Sequence, residues 1–223
     1  MSTSFATFKK YITPDVMPCP DVIIERELIG TIIDFCKLTH VITKDFNVEL
    51  DEDDIDADIQ DSVDIDMSEY FTDYRPVSVI RMNIDGVDYI PRYKEVLNTI
   101  DAWDSSVSSG SSKYFFFVNN STVRLYDMSA GDSNLYMRIA IKPIRDISEV
   151  EDEFLYEDHV ETIAAGVRQR ILGMPGKAWS DLNASRRAFI EWRRGISKAR
   201  SNFDKGYTNN SQTVYPKSFG DID

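Results

Sequence analysis

The residues through which this chain could do chemistry are few: two histidines, two cysteines, a dense run of acids and one cluster of arginines. His40 and His159 are far apart in sequence, and neither belongs to an HExxH pair or a Cys/His cluster of metal-ligand spacing. Each therefore reads as a surface or helix-end histidine rather than a ligand or general base. Cys19 and Cys36 form neither a CxxC pair nor a disulfide framework, which fits a reducing cytoplasm. In that compartment the sequons at Asn119, Asn120, Asn183 and Asn209 carry no glycan. No GxSxG elbow is present. Gly176-Lys177-Ala178 ends like a phosphate loop, but it lacks the hydroxyl residue after the lysine and the earlier glycine, and it follows a helical stretch.

The acidic run from Asp51 to Asp66 invites a calcium reading. An EF-hand loop needs a glycine at its sixth position and a glutamate at its twelfth. This run has no glycine, and its carboxylates alternate with Ile, Val and Ala. It reads as the solvated face of an edge hairpin, where like charges also block strand-to-strand aggregation. The arginine cluster, Arg186, Arg187, Arg193, Arg194 and Arg200 with Lys198, sits on the polar side of an amphipathic helix. Such a face touches phosphate or the carboxylates of a neighbouring protein. In a chain of net charge −13 the protein partner is the better expectation, because a free duplex-DNA binder carries a basic balance. The acids concentrate between Asp45 and Asp73 and the bases between Arg168 and Lys205, a polarity that suits head-to-tail assembly into rings.

The elements that must position these residues follow from periodicity. With 223 residues, 42% of them hydrophobic, the chain is long enough for one core domain with a sizeable insertion. Met1–Tyr11 is polar and has no apolar signal core, and the apolar stretch Val22–Leu38 is broken by Glu25, Arg26, Glu27 and Asp34, so no membrane span is expected. Pro18-Cys19-Pro20 is an extended lead-in to a helix over about Asp21–Thr39, with Asp21 as its cap and Leu28, Ile29, Ile32, Phe35 and Cys36 at helical spacing.

The middle alternates with period two: Phe46/Val48/Leu50, Ile55/Ala57/Ile59 and Val63/Ile65/Met67, then strands at Val77–Met82, Val87–Ile90, Tyr114–Val118, Val123–Asp127 and Leu135–Ile141. Asp85-Gly86 is a hairpin signal. A short helix is expected over Tyr93–Trp103 and a flexible loop over Ser105–Ser112.

A helix containing Val160, Ile163, Ala164, Val167, Ile171 and Leu172 stops at Gly173-Met174-Pro175-Gly176. Asp181 or Asn183 caps a last helix whose apolar stripe is Ala188, Phe189, Trp192, Ile196, Ala199 and Phe203. The expected bundle core is Phe35, Trp179, Phe189, Trp192 and Ile196. From Gly206 onward no period survives, so Tyr207–Asp223 reads as an extended arm. The fold class is α+β. An α-helical bundle (residues 1–44 and 150–205) is expected to close around an inserted, mainly antiparallel β lobe (45–149), with the arm (206–223) beyond it.

The order of these motifs resembles the head–tail adaptor (connector) proteins of tailed bacteriophages, the short-tailed ones above all. The matching stretches are Cys19-Pro20-Asp21 with Asp34-Phe35-Cys36-Lys37; Ile141–Asp146; Phe154–Asp158 leading into Glu161-Thr162-Ile163-Ala164-Ala165-Gly166; Met174–Asp181; and Phe189–Ala199 with Gly195-Ile196. Family versions often have proline before the tryptophan, where this chain has Ala178, and the β block matches only in general pattern.

The resemblance implies a non-enzymatic virion protein without cofactor or metal. It is made in the host bacterial cytoplasm and placed at the head–tail junction. It also implies a homo-oligomeric ring of about twelve copies under the portal protein, with the β lobe facing a tail nozzle or tube and duplex DNA passing without tight binding. The arm would reach the portal, on the order of 55–60 Å when extended at ~3.3–3.6 Å per residue. Tyr207, Val214, Tyr215 and Phe219 would anchor it in apolar pockets. Three alternatives stand beside this one. A stopper or tail terminator would show little helix in circular dichroism. An enzyme or small-molecule binder would need convergent polar groups that the sequence does not name. A nucleic-acid-binding regulator would use the arginine-rich helix.

Overall fold

The computed structural model describes residues 3–50, 63–91, 114–119, 121–126, 134–147, 149–150 and 153–205. The expected strand Ile55–Ile59, the helix over Tyr93–Trp103, the Ser-rich loop and the arm residues Tyr207, Val214, Tyr215 and Phe219 lie outside them.

The chain is α+β. It opens with a two-residue strand, β1 (Thr3–Ser4), and two short helices, α1 (Phe5–Lys9) and α2 (Thr13–Val16). Phe5, Phe8, Ile12 and Val16 recur every three or four residues, and all four are buried. This amphipathic strap is tied down by Lys9, whose Nζ lies 2.5 Å from Glu25 and 3.3 Å from Asp21. β1 pairs with β10 (Glu149–Val150), closing the strap against the far end of the β region.

α3 spans Asp21–Thr39, as the periodicity predicts, but Asp21 does not cap it. Pro20 occupies the capping position, its carbonyl accepts from Ile23 N at 2.9 Å, and the Asp21 carboxylate instead faces Lys9. The helix ends where His40 enters the left-handed region at φ 58°, its N–H donating to the Cys36 carbonyl. Thr31 and Thr39 are fully buried, and each hydroxyl donates to the carbonyl one turn back, so neither is left unsatisfied.

Among the described residues the β region forms two four-stranded sheets. The first has the order β2 (Thr43–Glu49), β9 (Asn134–Pro143), β4 (Tyr74–Ile84), β5 (Val87–Asp88), antiparallel throughout. The second has the order β3 (Val63–Asp66), β8 (Thr122–Tyr126), β7 (Tyr114–Phe117), β6 (Ile90–Pro91), with β6 parallel to β7. Asp85 (φ 46°) and Gly86 (φ 91°) make the tight turn between β4 and β5. Beyond that turn the single strand expected over Val87–Ile90 is two, because the buried Tyr89 marks the switch from one sheet to the other. Met67 leaves the ladder to begin a short 3-10 turn, Met67–Tyr70. β3 lies at its sheet's edge, where the acidic run was expected to lie.

α4 (Glu153–Leu172) and α5 (Leu182–Asp204) follow, and they pack on each other and on α3. His159 is not on the surface: it is buried, its ring 5.0 Å from Phe35. It sits four residues after Leu155 and four before Ile163, which puts it on the buried stripe. Phe35 also meets Trp192 at 5.8 Å, so residues of all three helices share one centre. Phe35 and Trp192 are buried, and Trp179 and Ile196 are partly buried against the same cluster. Phe189 is not core: it is 44% exposed. At about 100° per residue it lies roughly 70° off the direction shared by Ser185, Ala188, Trp192 and Ala199. The buried cluster runs without a break from the N-terminal strap through the helices into both sheets.

Candidate functional site

The outer face of α5 is where the predicted contact residues gather. The helix is started firmly: Asp181 Oδ1 accepts from the backbone N–H of Asn183 and of Ala184, both at 2.9 Å, so Asp181 rather than Asn183 is the cap. The connection before it is closed on itself. Gly176 takes φ 70°, the Asp181 N–H donates to the Leu172 carbonyl at 3.0 Å, and the Ser180 hydroxyl donates to the Met174 carbonyl.

The inner face is held close to α4 by small residues. A Cβ on Gly195 would stand 2.3 Å from Thr162, and one on Gly166 would stand 2.6–2.7 Å from Thr31 and Trp192. Ser185 Oγ donates to the Gln169 carbonyl at 2.8 Å. With its inner face committed in this way, α5 turns Arg186, Arg187, Arg193, Arg194 and Arg200 to solvent, all exposed.

These arginines differ in their pairing from those that tie the helices and sheets together. Arg168 on α4 reaches Asp15 at 2.6 Å and Glu191 at 3.5 Å, joining α2, α4 and α5. Arg170 pairs with Asp34 and reaches Glu27 at 3.8 Å. Arg124 forks onto Asp64 at 2.5 and 2.6 Å, and Arg138 onto Asp45 at 2.7 and 2.8 Å. Among the described residues no carboxylate lies within ion-pair distance of Arg186, Arg187, Arg193, Arg194 or Arg200. Apolar surface accompanies them: Leu182 is 63% exposed and Ile190 50%, and Arg193 stands over the Phe189 ring at 5.8 Å from its centroid. Arginine forks match carboxylates and phosphates in bidentate geometry, and arginine beside aromatic and aliphatic side chains is the composition of protein-binding hot spots.

The C-terminal end of the face is coupled to the core. His40, at the end of α3, packs edge-on against Phe203 at 6.4 Å. Burial lowers the His40 pKa, and the nearby Arg200 charge lowers it further. The buried Cys19 thiol is pushed up by burial, which makes it a poor nucleophile. Sequence reasoning identified the arginines of this face but assigned Phe189 inward. It did not single out Leu182 and Ile190, whose solvent-side positions follow from the same 100° count that places Trp192 inside. No helix among the described residues is long and apolar enough to cross a membrane.

No protein-family model matches this chain, and no curated protein matches it in sequence.

Proposed function

We propose that this chain is a structural, non-enzymatic virion protein of a tailed bacteriophage: a head–tail adaptor, one copy of a ring that joins the portal protein to the tail and surrounds the DNA passage. The observation that carries the proposal is the outer face of α5, a row of arginines with no carboxylate partner among the described residues, interleaved with exposed Leu182, Phe189 and Ile190. Such a face is completed by a protein neighbour.

The stretches that resemble adaptor proteins also meet one another. Phe35 contacts Trp192, Gly166 makes room for Trp192, and Gly195 makes room for Thr162. That these stretches of the helices pack together supports the reading. On this proposal α3, α4 and α5 belong to the helical bundle (1–44 and 150–205), and residues 45–149 form the inserted lobe toward the tail. Residues 206–223 form the arm that anchors to the portal. The lumen of an assembly with charge −13 per copy repels phosphate and lets duplex DNA slide.

The test is to mix the chain with portal rings and image the product by electron microscopy. A ring of about twelve copies on the portal is expected, and deletion of Tyr207–Asp223 is expected to abolish attachment. Attachment that survives the deletion overturns the arm's role. Absence of the chain from purified particles overturns the proposal as a whole. The unpartnered arginines also favour a second reading, a nucleic-acid-binding regulator. There Arg193→Glu with Arg194→Glu abolishes duplex binding and leaves particle assembly intact.

A further inference from the structure

We infer that the outer face of α5 is the contact between neighbouring copies of this chain, and that its occupant is the acidic stretch Asp51–Asp61 of the next copy. The inference rests on the adaptor reading and names which two surfaces meet in the ring.

The argument is one of double complementarity. The α5 face offers arginine forks without carboxylates and, between them, the side chains of Leu182, Phe189 and Ile190. The stretch Asp51-Glu52-Asp53-Asp54-Ile55-Asp56-Ala57-Asp58-Ile59-Gln60-Asp61 contains no lysine or arginine, and its apolar residues fall at every second position. Ile55, Ala57 and Ile59 alternate in sequence with Asp54, Asp56 and Asp58. The stretch thus matches the face in both charge and apolar content.

Four arginines that could compete for the stretch are occupied. Arg124 is committed to Asp64 just beyond the stretch, Arg138 to Asp45 just before it, and Arg168 and Arg170 to α2, α3 and α5. A surface that receives a different surface of the next copy is heterologous, the contact type that closes into rings. Duplex DNA would also supply anions. The chain's own −13 charge opposes its approach, whereas a neighbouring acidic segment brings apolar side chains for Phe189 and Ile190 to cover.

Two charge reversals in the full-length chain test this. One carries Arg186→Glu, Arg193→Glu and Arg194→Glu; the other carries Asp53→Lys, Asp54→Lys and Asp56→Lys. Arg186, Arg193 and Arg194 are exposed, and circular dichroism with a thermal melt verifies folding of each variant. Assembly is read by sedimentation velocity, with and without portal rings.

Each variant alone is expected to need roughly a hundredfold more protein to assemble than the wild type, because like charges then face each other. Mixed one to one, the two variants are expected to recover assembly as an alternating ring, since each reversed face then meets an opposite charge. Recovery only when both reversals sit in one chain means that the segment docks on its own copy, and it overturns the inference. No recovery in either format also overturns it, and points to the portal or to phosphate. So does loss of duplex-DNA binding with assembly unchanged. A wild-type chain that self-associates with this rescue but ignores portal rings overturns the adaptor reading and leaves the inter-copy contact standing. A wild-type chain that does neither overturns both.

Discussion

Two charged surfaces of this molecule are built from the same residue types and end in opposite states. On the outer face of the first sheet, Asp45 of β2, Arg138 of β9 and Arg81 of β4 stand opposite one another in register, and Asp88 of β5 completes the row. Arg138 forks onto Asp45, Arg81 reaches Asp88 at 3.3 Å, and Asn83 donates to the same Asp88 carboxylate at 3.0 Å. Every charge in that row has an answer within the chain. On α5 the exposed guanidinium groups have none among the described residues. A surface whose charges are closed internally is suited to water. One left open, with aromatic and aliphatic neighbours, is suited to a partner.

The sharpest way to probe the difference is to leave both surfaces alone and disturb what aims them. Gly166 lets α4 approach Thr31 of α3 and Trp192 of α5 at once. Gly166→Ala gains about 1 kcal/mol of helix propensity but drives a methyl group to within 2.7 Å of a buried indole and a buried threonine. Overpacking of this kind costs about 1–3 kcal/mol, so a net loss of about 1–2 kcal/mol is expected by urea titration. In a chain of this size that lowers the melting temperature by roughly 2–8 °C. A neutral or stabilising result would mean that α5 stands further from α4 than described, and that its outer face points elsewhere.

Much of this geometry was legible from sequence, and the failures have physical causes. The limits of α3, the Asp85-Gly86 turn and the helix stop at Gly173–Gly176 are local signals that appear where propensity put them, and Asp181 is one of the two caps propensity offered. The strap α1–α2 was passed over because helices of five and four residues barely register in a periodicity window, although the spacing of Phe5, Phe8, Ile12 and Val16 would have exposed it. Strand alternation revealed strands but not partners. That β2 and β4 both flank β9 depends on contacts across roughly 50 to 100 residues. At the candidate site, the arginines were readable because polarity marks an outer face. Their lack of carboxylate partners was not, because pairing is a tertiary fact. Phe189 was misplaced because an aromatic on the flank of a stripe looks like core until the angle is counted.

The closed row should answer to pH and to mutation in a small, definite way. The Arg138 guanidinium, hydrogen-bonded to Asp45, holds that carboxyl below its ordinary value of 3.8. A depressed carboxylate pKa contributes stability that is fully present above the unfolded value and is lost as pH falls through the folded one. Asp45→Asn is therefore expected to cost about 0.2–1 kcal/mol at pH 7, since both partners are near half-exposed. The difference from wild type should shrink toward zero below about pH 3. Denaturant titrations at the two pH values check this; an undiminished difference at low pH would assign the effect to packing and not to charge.

The open row should show the smallest stability effect. Removing Arg193 and Arg194 together as alanines breaks no carboxylate pair within the described residues and only the Arg193–Phe189 stacking. Alanine also has the better helix propensity. The expected change in unfolding free energy lies within about ±0.5 kcal/mol. The chain's net charge becomes more negative by the two positions altered, which adds slightly to self-repulsion in the folded state. Raising the salt concentration should screen that repulsion and bring the variant closer to wild type. If the double alanine variant instead melts many degrees lower, the two arginines are fastened to some part of the same chain. The contrast between an internally closed surface and an open one then disappears, and with it the reason to seek a neighbour for α5.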